Sequence, residues 1–392
     1  MSTVAPASAT APGAGAVGAA SLRPGTVEDL AEIMRAMVAP VRVRGGGTKL
    51  GWLAPPQPAA RSSVEVDMRG LGSILEHAPQ DLVVRAEAGV RLADLQQLVG
   101  EAGQRLALDP PEPEATLGGI VAANASGPRR HRFGTVRDLL LGVTVVLADG
   151  TVARSGSKVV KNVAGYDVPK LMTGSFGTLA AVAETIWRLH PLPAAQQVVV
   201  AEVADTADLV RLAGAIRRAP QTPSAVEVDG SAAGGYRLVL LLEGVEASVQ
   251  AQAAALATLA GGRLVDAAPD GFGERPWLCA GSSTTVGLAV AVSPSGIGRA
   301  LAALPSAALV RGRIATGVVE VVVDAGDLDL PRLRAAVAGD DGSVVVRHGP
   351  PGLDVWGPVG RGTSSPLELM RRVKDSFDPD AGLETGRFVG GI

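Results

Sequence analysis

The chain has 392 residues, 47% of them hydrophobic, and a formal net charge of −3. That length suits two or three domains with sizeable cores, and the near-neutral balance excludes the basic footprint of a nucleic-acid binder. A single cysteine, Cys279, rules out an internal disulfide framework and an iron–sulfur cluster held by this chain alone.

His77, His131, His190 and His348 are far apart and show no metal-ligand spacing, so no metal is expected. No apolar run reaches the ~18 residues of a membrane span, and the N-terminus lacks a signal-peptide pattern. The expectation is a cytoplasmic protein, held at the inner face of a membrane only through partners.

Residues 1–20 are almost all Ala, Pro, Gly, Ser and Thr, without charge, the composition of a disordered tail. Thr26 then stands as N-cap before VEDLAEIMRAMV, whose apolar positions recur at helical spacing. VRVRGGGTKL follows, a short β-branched strand running into Gly45, Gly46 and Gly47. Successive N–H groups in such a loop suit a phosphate, although a plain tight turn has the same composition. VEVDMRGL and LVVRAEAGVRLADLQQLVGEAG each begin as a strand, and the second passes into an amphipathic helix.

The stretch over residues 114–193 organises the chain. TLGGIVAANASG is crowded with small residues, short enough for a large flat ligand to lie against the backbone, with Asn124 and Ser126 as polar handles. Arg129, Arg130, His131 and Arg132 form a basic run, which faces phosphate or an acidic partner, or more commonly is a solvated loop. LLLGVTVVLADGTVARSG reads as a hairpin around Asp149-Gly150. KNVAGYDVPKL carries Tyr166, a ring that covers a ligand edge or simply packs. GSFGTLAAVAETIWRLHPLP reads as a helical turn and a strand.

The second half changes rhythm. Strands and helices alternate as β-α-β-β-α-β over about 197–269, the ferredoxin-like arrangement, and the pattern recurs over 284–348. Two such units merge naturally into one antiparallel sheet with helices on one face. Few polar residues converge there, and no catalytic constellation is visible. A Gly/Pro loop with Trp356 and Arg361, a helix (PLELMRRVKDSF) and an irregular tail end the chain.

Taken together, RGGGTKL, EAGVRLADL, ATLGGIVAANASG, FGTVRDLLLGVTVVLADG and GSFGTLAAVAE resemble the FAD-binding domain of the vanillyl-alcohol oxidase and p-cresol methylhydroxylase (PCMH) superfamily, over residues 22–193. The form KVVKNVAGYDVPKLMTGSFG is similar to one branch of it, the FAD-binding subunits of bacterial glycolate oxidases. The resemblance implies an α+β chain: a two-subdomain PCMH-type FAD-binding domain (21–193), a ferredoxin-like antiparallel α+β cap (194–349), and a C-terminal helix and tail (350–392) returning to the FAD domain.

It also implies a cofactor, FAD, and a site. Arg44, Gly45, Gly46, Gly47, Thr48, Lys49 and Leu50 would wrap the pyrophosphate. Thr116, Gly118, Gly119, Ala122, Asn124, Ser126 and Gly127 would line the flavin and its ribityl chain. Gly134, Thr135 and Asp138 would continue that wall, and Asn162, Gly165, Tyr166, Gly177 and Thr178 would close the other side. Thr48 stands where covalent members of the family often carry His, which implies dissociable FAD.

The departures carry equal weight. The Gly-Glu-His-Gly segment of the catalytic 2-hydroxy-acid relatives is missing, so no catalytic residue is assigned. The FNPGR-like ending is replaced by Gly382-Leu383-Glu384-Thr385-Gly386-Arg387, which puts a tail contact near the flavin in doubt. The implied function is an FAD-binding subunit of a glycolate (2-hydroxy-acid) dehydrogenase complex. It would give glyoxylate and pass electrons to an iron–sulfur subunit beside a catalytic FAD-linked subunit. A self-sufficient flavin oxidase and a scaffold without flavin are the alternatives.

Overall fold

The computed structural model describes residues 21–52, 64–158, 166–278, 284–350, 352–358, 366–384 and 386–392. The expected tail over 1–20, and Cys279, Arg361, Asn162 and Gly165, lie outside them. At the start, β1 (Ser21–Leu22), α1 (Val27–Ala36), β2 (Val41–Arg44) and β3 (Val64–Asp67) build a small parallel sheet in the order β1-β3-β2. Thr26 and Asp29 close a reciprocal capping box on α1, each side chain accepting the other's backbone N–H at 3.0 Å.

Next come β4 (Ile74–Ala78), β5 (Val83–Glu87), α2 (Leu92–Glu101), β6 (Gln104–Arg105), α3 (Leu117–Ala123), α4 (Arg130–Phe133), α5 (Val136–Leu139), β7 (Leu140–Val146), β8 (Val152–Gly156), α6 (Val168–Met172), β9 (Ala181–Arg188) and β10 (His190–Pro191). Five of these strands form an antiparallel sheet in the order β4-β5-β9-β7-β8, and β6 pairs with β10. β7 and β8 form the expected hairpin, with Gly150 at φ +80°. The helical turn expected within GSFGTLAAVAE lies earlier, at α6.

Both faces of the five-stranded sheet are covered. Leu95 of α2 and Leu117 and Ile120 of α3 pack with Val84 and Trp187 on one side. Leu30 and Met34 of α1 pack with Val146, Ala181 and Ala183 on the other. Alternate strand residues thus enter different cores, as the two-residue period of a strand requires.

The second half is β11 (Ala195–Val203), α7 (Thr206–Arg218), β12 (Ala225–Ser231), β13 (Gly235–Gly244), α8 (Glu246–Ala260) and β14 (Arg263–Val265). The same series then repeats as β15 (Thr285–Ala291), α9 (Ile297–Ala302), β16 (Leu309–Arg313), β17 (Val318–Asp324), α10 (Leu330–Val337) and β18 (Ser343–His348). The eight strands form one antiparallel sheet, ordered β14-β11-β13-β12-β16-β17-β15-β18. Each unit has its strands in ferredoxin-like order, and the units meet second strand to second strand, at β12 and β16. Val226, Val228, Val310, Val319 and Val321 point to the helix-side core.

The expectation that few polar residues converge in this half is overturned. Residues alternating with that core turn Glu227, Asp229, Glu243, Arg311, Arg313, Glu320 and Arg347 to the other face. The basic run is not a solvated loop either. Arg129 pairs with Asp109 at 3.2 Å and with Glu243 of β13 at 2.9 Å. Finally α11 (Pro366–Phe377) and the tail return to the first half. Val41 N–H donates to Gly382 O at 2.6 Å, and buried Lys374 donates to Thr178 O at 2.7 Å. Trp356 packs edge-on against Phe176 and Phe388.

Glu243 ties the halves together, with its side chain 1% exposed. It accepts from Arg105 at 2.7 and 3.0 Å and from Arg129 at 2.9 Å. Burial alone would raise its carboxyl pKa, but those guanidinium hydrogen bonds and charges hold it down, from 4.5 to about 2. Its stabilisation is therefore present above the ordinary carboxylate range and is lost as pH falls toward about 2. Glu243→Gln is expected to destabilise the fold by about 3 kcal/mol at neutral pH. Denaturant midpoints recorded at neutral pH and near pH 3 should show the gap from wild type narrowing in acid.

Candidate active site: two clefts back to back

The first cleft opens where β2 ends. Its floor is the loop from Gly45 to Leu50, and its walls include Met68, Ala88, Thr116, Gly118, Gly119, Ala122, Phe176, Gly177 and Arg387. The loop lies hard against the segment before α3. A Cβ on Gly45 would stand 2.1 Å from Thr116 Oγ1, and one on Gly46 would stand 1.8 Å from Glu114 O. Gly47 has φ +72°, a left-handed conformation that glycine adopts without strain. These glycines are thus required by the chain's own packing, before any ligand is considered.

Gly119 is different. A Cβ there would meet only Thr116 Oγ1, at 3.2 Å. Gly177, at φ +79°, has no neighbour closer than 3.4 Å to such a carbon. The space beside these two glycines belongs to the cleft. Thr116 Oγ1 is buried with no hydrogen-bond partner, an orphan that a bound group would satisfy. Lys49 Nζ sits 3.0 Å from Glu112. Burial lowers its ammonium pKa and Glu112 opposes that shift. A glycine-lined floor, small-residue walls and an unpaired hydroxyl fit a dinucleotide cofactor, and the lining holds few polar groups, as such sites do.

The expected site residues distribute unevenly. Gly45, Gly46, Gly47, Thr48, Lys49, Leu50, Thr116, Gly118, Gly119, Ala122 and Gly177 line the first cleft. Asn124 and Ser126 line a second cleft instead. Arg44 is held by Glu65 at 3.0 Å beside the loop. Thr178 is buried and donates its hydroxyl to Ser175 O.

Gly127, Gly134, Thr135 and Asp138 line neither cleft. A Cβ on Gly127 would strike Asp109 O at 1.9 Å, and Thr135 and Asp138 form the capping box of α5. Tyr166 is 95% exposed and closes neither. The tail contact, by contrast, is present. Arg387 lines the first cleft, donates to Lys49 O at 3.3 Å and pairs with Glu384 at 3.0 Å. Glu384 in turn accepts from Val43 N–H at 2.8 Å.

The second cleft lies between α3 and the charged face of the eight-stranded sheet, and shares Ala123 with the first. Trp52, Asn124, Arg130, Arg275, Arg313, Glu320 and Arg347 line it. A relay of ion pairs crosses from the loop to the sheet. Lys49 meets Glu112, which meets Arg275 at 3.1 Å; Arg275 meets Glu320, which meets Arg313 at 3.3 Å. Beside it, buried Glu227 has its carboxyl pushed up to about 7 by burial, against the pull of Arg313. The signal for this face was present as charged residues alternating with valines in the strands. None of the four histidines lines either cleft. Among the described residues no cluster suits a metal ion, and no helix is long and apolar enough to cross a membrane.

A glycine-lined cleft beside an eight-stranded antiparallel sheet has the shape and the small-residue lining that suit a dinucleotide cofactor. Residues 18–156 match the family model described as FAD binding domain, and the cofactor this match supports is FAD. Among curated proteins it is 40% identical over 132 residues to glycolate oxidase subunit GlcE of Escherichia coli K12, covering 33% of this chain and 38% of that one. It is 34% identical over 167 residues to glycolate oxidase subunit GlcD of Bacillus subtilis 168 (41% and 34%), and 37% over 153 residues to a D-lactate dehydrogenase of Archaeoglobus fulgidus (39% and 33%). The matches thus span little more than a third of these relatives. Solved structures of alkyldihydroxyacetonephosphate synthase share the fold, with a TM-score of 0.65 at 17% identity, covering 92% of this chain and 76% of that one.

The glycines give a discriminating pair of variants. Gly119→Val should fold with little loss of thermal stability but bind FAD poorly, because its added carbons enter the cleft. Gly46→Val should lower the melting temperature itself, because its Cβ meets a backbone carbonyl. Flavin absorbance per protein and the far-ultraviolet melting curve separate the two effects.

Proposed function

We propose that the chain is an FAD-dependent oxidoreductase subunit that takes part in oxidising a small 2-hydroxy acid, glycolate in the first instance, to the corresponding 2-oxo acid. The observation that carries this reading is the pairing of the glycine-lined cleft with an arginine-lined one across Ala123. The similarity to glycolate oxidase subunits and a D-lactate dehydrogenase supports the same chemistry.

In this reading Gly45–Gly47, Thr48 and Lys49 receive the pyrophosphate, and Gly118, Gly119, Ala122 and Gly177 leave room for the flavin. Bound FAD supplies a two-electron acceptor. The chain's own residues bind and orient: the eight-stranded sheet closes the clefts against water, and Arg387 braces the glycine loop from the tail. Thr48 offers no side chain suited to covalent attachment, so the FAD is dissociable. The sequence's one cysteine, Cys279, does not suffice for a cluster. In this reading electrons pass to an iron–sulfur subunit, and the chain works in a complex with a catalytic FAD-linked subunit on the cytoplasmic side.

The test is the visible spectrum of the purified chain. Flavin bands should appear and pass to the supernatant on acid precipitation. Anaerobic glycolate should bleach them in the assembled complex. Bleaching of the chain alone would make it a self-sufficient oxidase, and a colourless chain that added FAD cannot restore would leave it a scaffold.

A further inference from the structure

Four arginines surround the second cleft, and carboxylates match only two of them. Arg275 is paired with Glu112 and Glu320, and Arg313 with Glu320. Among the described residues no carboxylate lies within ion-pair distance of Arg130 or Arg347. The Arg347 guanidinium rests instead against the rings of Trp52, at 4.9 Å, and Phe176, at 5.6 Å. Its Nη1 is buried with no hydrogen-bond partner, as is Nε of Arg313.

Burial, helped by Arg275, lowers the Arg347 guanidinium to about 10. Aromatic faces compensate such a cation only in part, and a buried donor left unmade is costly. A third orphan faces the same space: Asn124 Oδ1 is buried without a donor. A carboxylate satisfies the arginines but has no hydrogen to give to that oxygen, whereas a hydroxyl does. The cavity volume of this cleft is about 80 Å³, room for an acid of a few heavy atoms.

We propose that this second cleft binds a small hydroxycarboxylate, its carboxylate held by Arg347 with Arg130 and Arg313 and its hydroxyl donated to Asn124. The site would make this chain a binder of substrate acid in its own right and not only a relay of electrons. That consequence rests on the first cleft being the flavin site, since the two clefts meet at Ala123 and Phe176 lines the first while touching Arg347. Glu320 is a positioning residue here, fixing Arg275 and Arg313.

The experiment is calorimetric titration of the full chain with glycolate and with acetate, with FAD bound and after its removal. It is run on wild type, Arg347→Gln, Arg347→Lys and Asn124→Gly; glycine keeps the φ of +48° found at that position. Wild type should bind both acids, glycolate more tightly. Arg347→Gln should weaken both by about tenfold or more with its FAD content unchanged, and lysine should recover part of the loss. Asn124→Gly should erase the preference for glycolate and leave acetate binding in place.

Absence of acid binding in both FAD states would overturn the proposal. So would equal affinities in wild type and Arg347→Gln, or loss of FAD in Arg347→Gln, which would assign that arginine to the cofactor. Arginine-dependent binding of acids to a chain that takes up no FAD would uphold the acid site while removing the flavin reading.

Discussion

The relay from Lys49 through Glu112, Arg275 and Glu320 to Arg313 is the interaction on which the arrangement depends. Its first member belongs to the glycine loop and its last to the middle of the eight-stranded sheet. Every link is buried, so each charge has lost its water and relies on its neighbour. A buried relay of this kind is a poor source of net stability, but it fixes position. Hydrogen bonds to charged groups tolerate little displacement, and removing one member strands the next. The sheet is therefore held at one distance and one angle over the loop, and the two clefts keep their shapes.

The same economy governs α3. It is only seven residues long, yet it supplies walls to both clefts. Gly118 lets it lie on Ala88, where an added Cβ would come within 2.8 Å of the alanine methyl, and Gly119 leaves a surface open to the first cleft. The helix stops at Asn124, whose left-handed backbone turns the chain into the second. Small residues on one helix thus divide a single crevice into a less polar room and a cationic one.

Much of this was legible in the sequence. The N-cap at Thr26, the Asp149-Gly150 hairpin and the doubled β-α-β-β-α-β pattern are local signals, and the structure has them where their chemistry requires. The glycine loop and the small-residue run were legible as a cleft because their composition admits close approach. What escaped depended on pairing between distant segments. Glu227, Glu320 and Arg347 each sit among valines in strands that look merely apolar, and they converge only once eight strands are in register. Arg129 looked solvated because its partner, Glu243, is 114 residues away. Thr135 and Asp138 were assigned to the flavin wall through resemblance, although T-x-x-D is itself a helix-start signal. Arg387 was doubted because a familiar ending was missing, yet Glu384 anchors the substitute tail to Val43.

The seam between β12 and β16 carries a further consequence. The first unit of the second half brings mostly acids to the inner face, Glu227, Asp229 and Glu243, with Arg237 opposite Asp229. The second brings mostly bases, Arg311, Arg313 and Arg347. Asp229 and Arg311 face each other across the seam and bond at 2.7 Å. Two copies of the first unit meeting at that edge would set aspartate against aspartate, and two copies of the second would set arginine against arginine. The units share a topology but carry opposite polarity, so each recognises the other and rejects its own kind. That polarity disfavours pairing of like units, and it keeps an internally repeated domain in a single register.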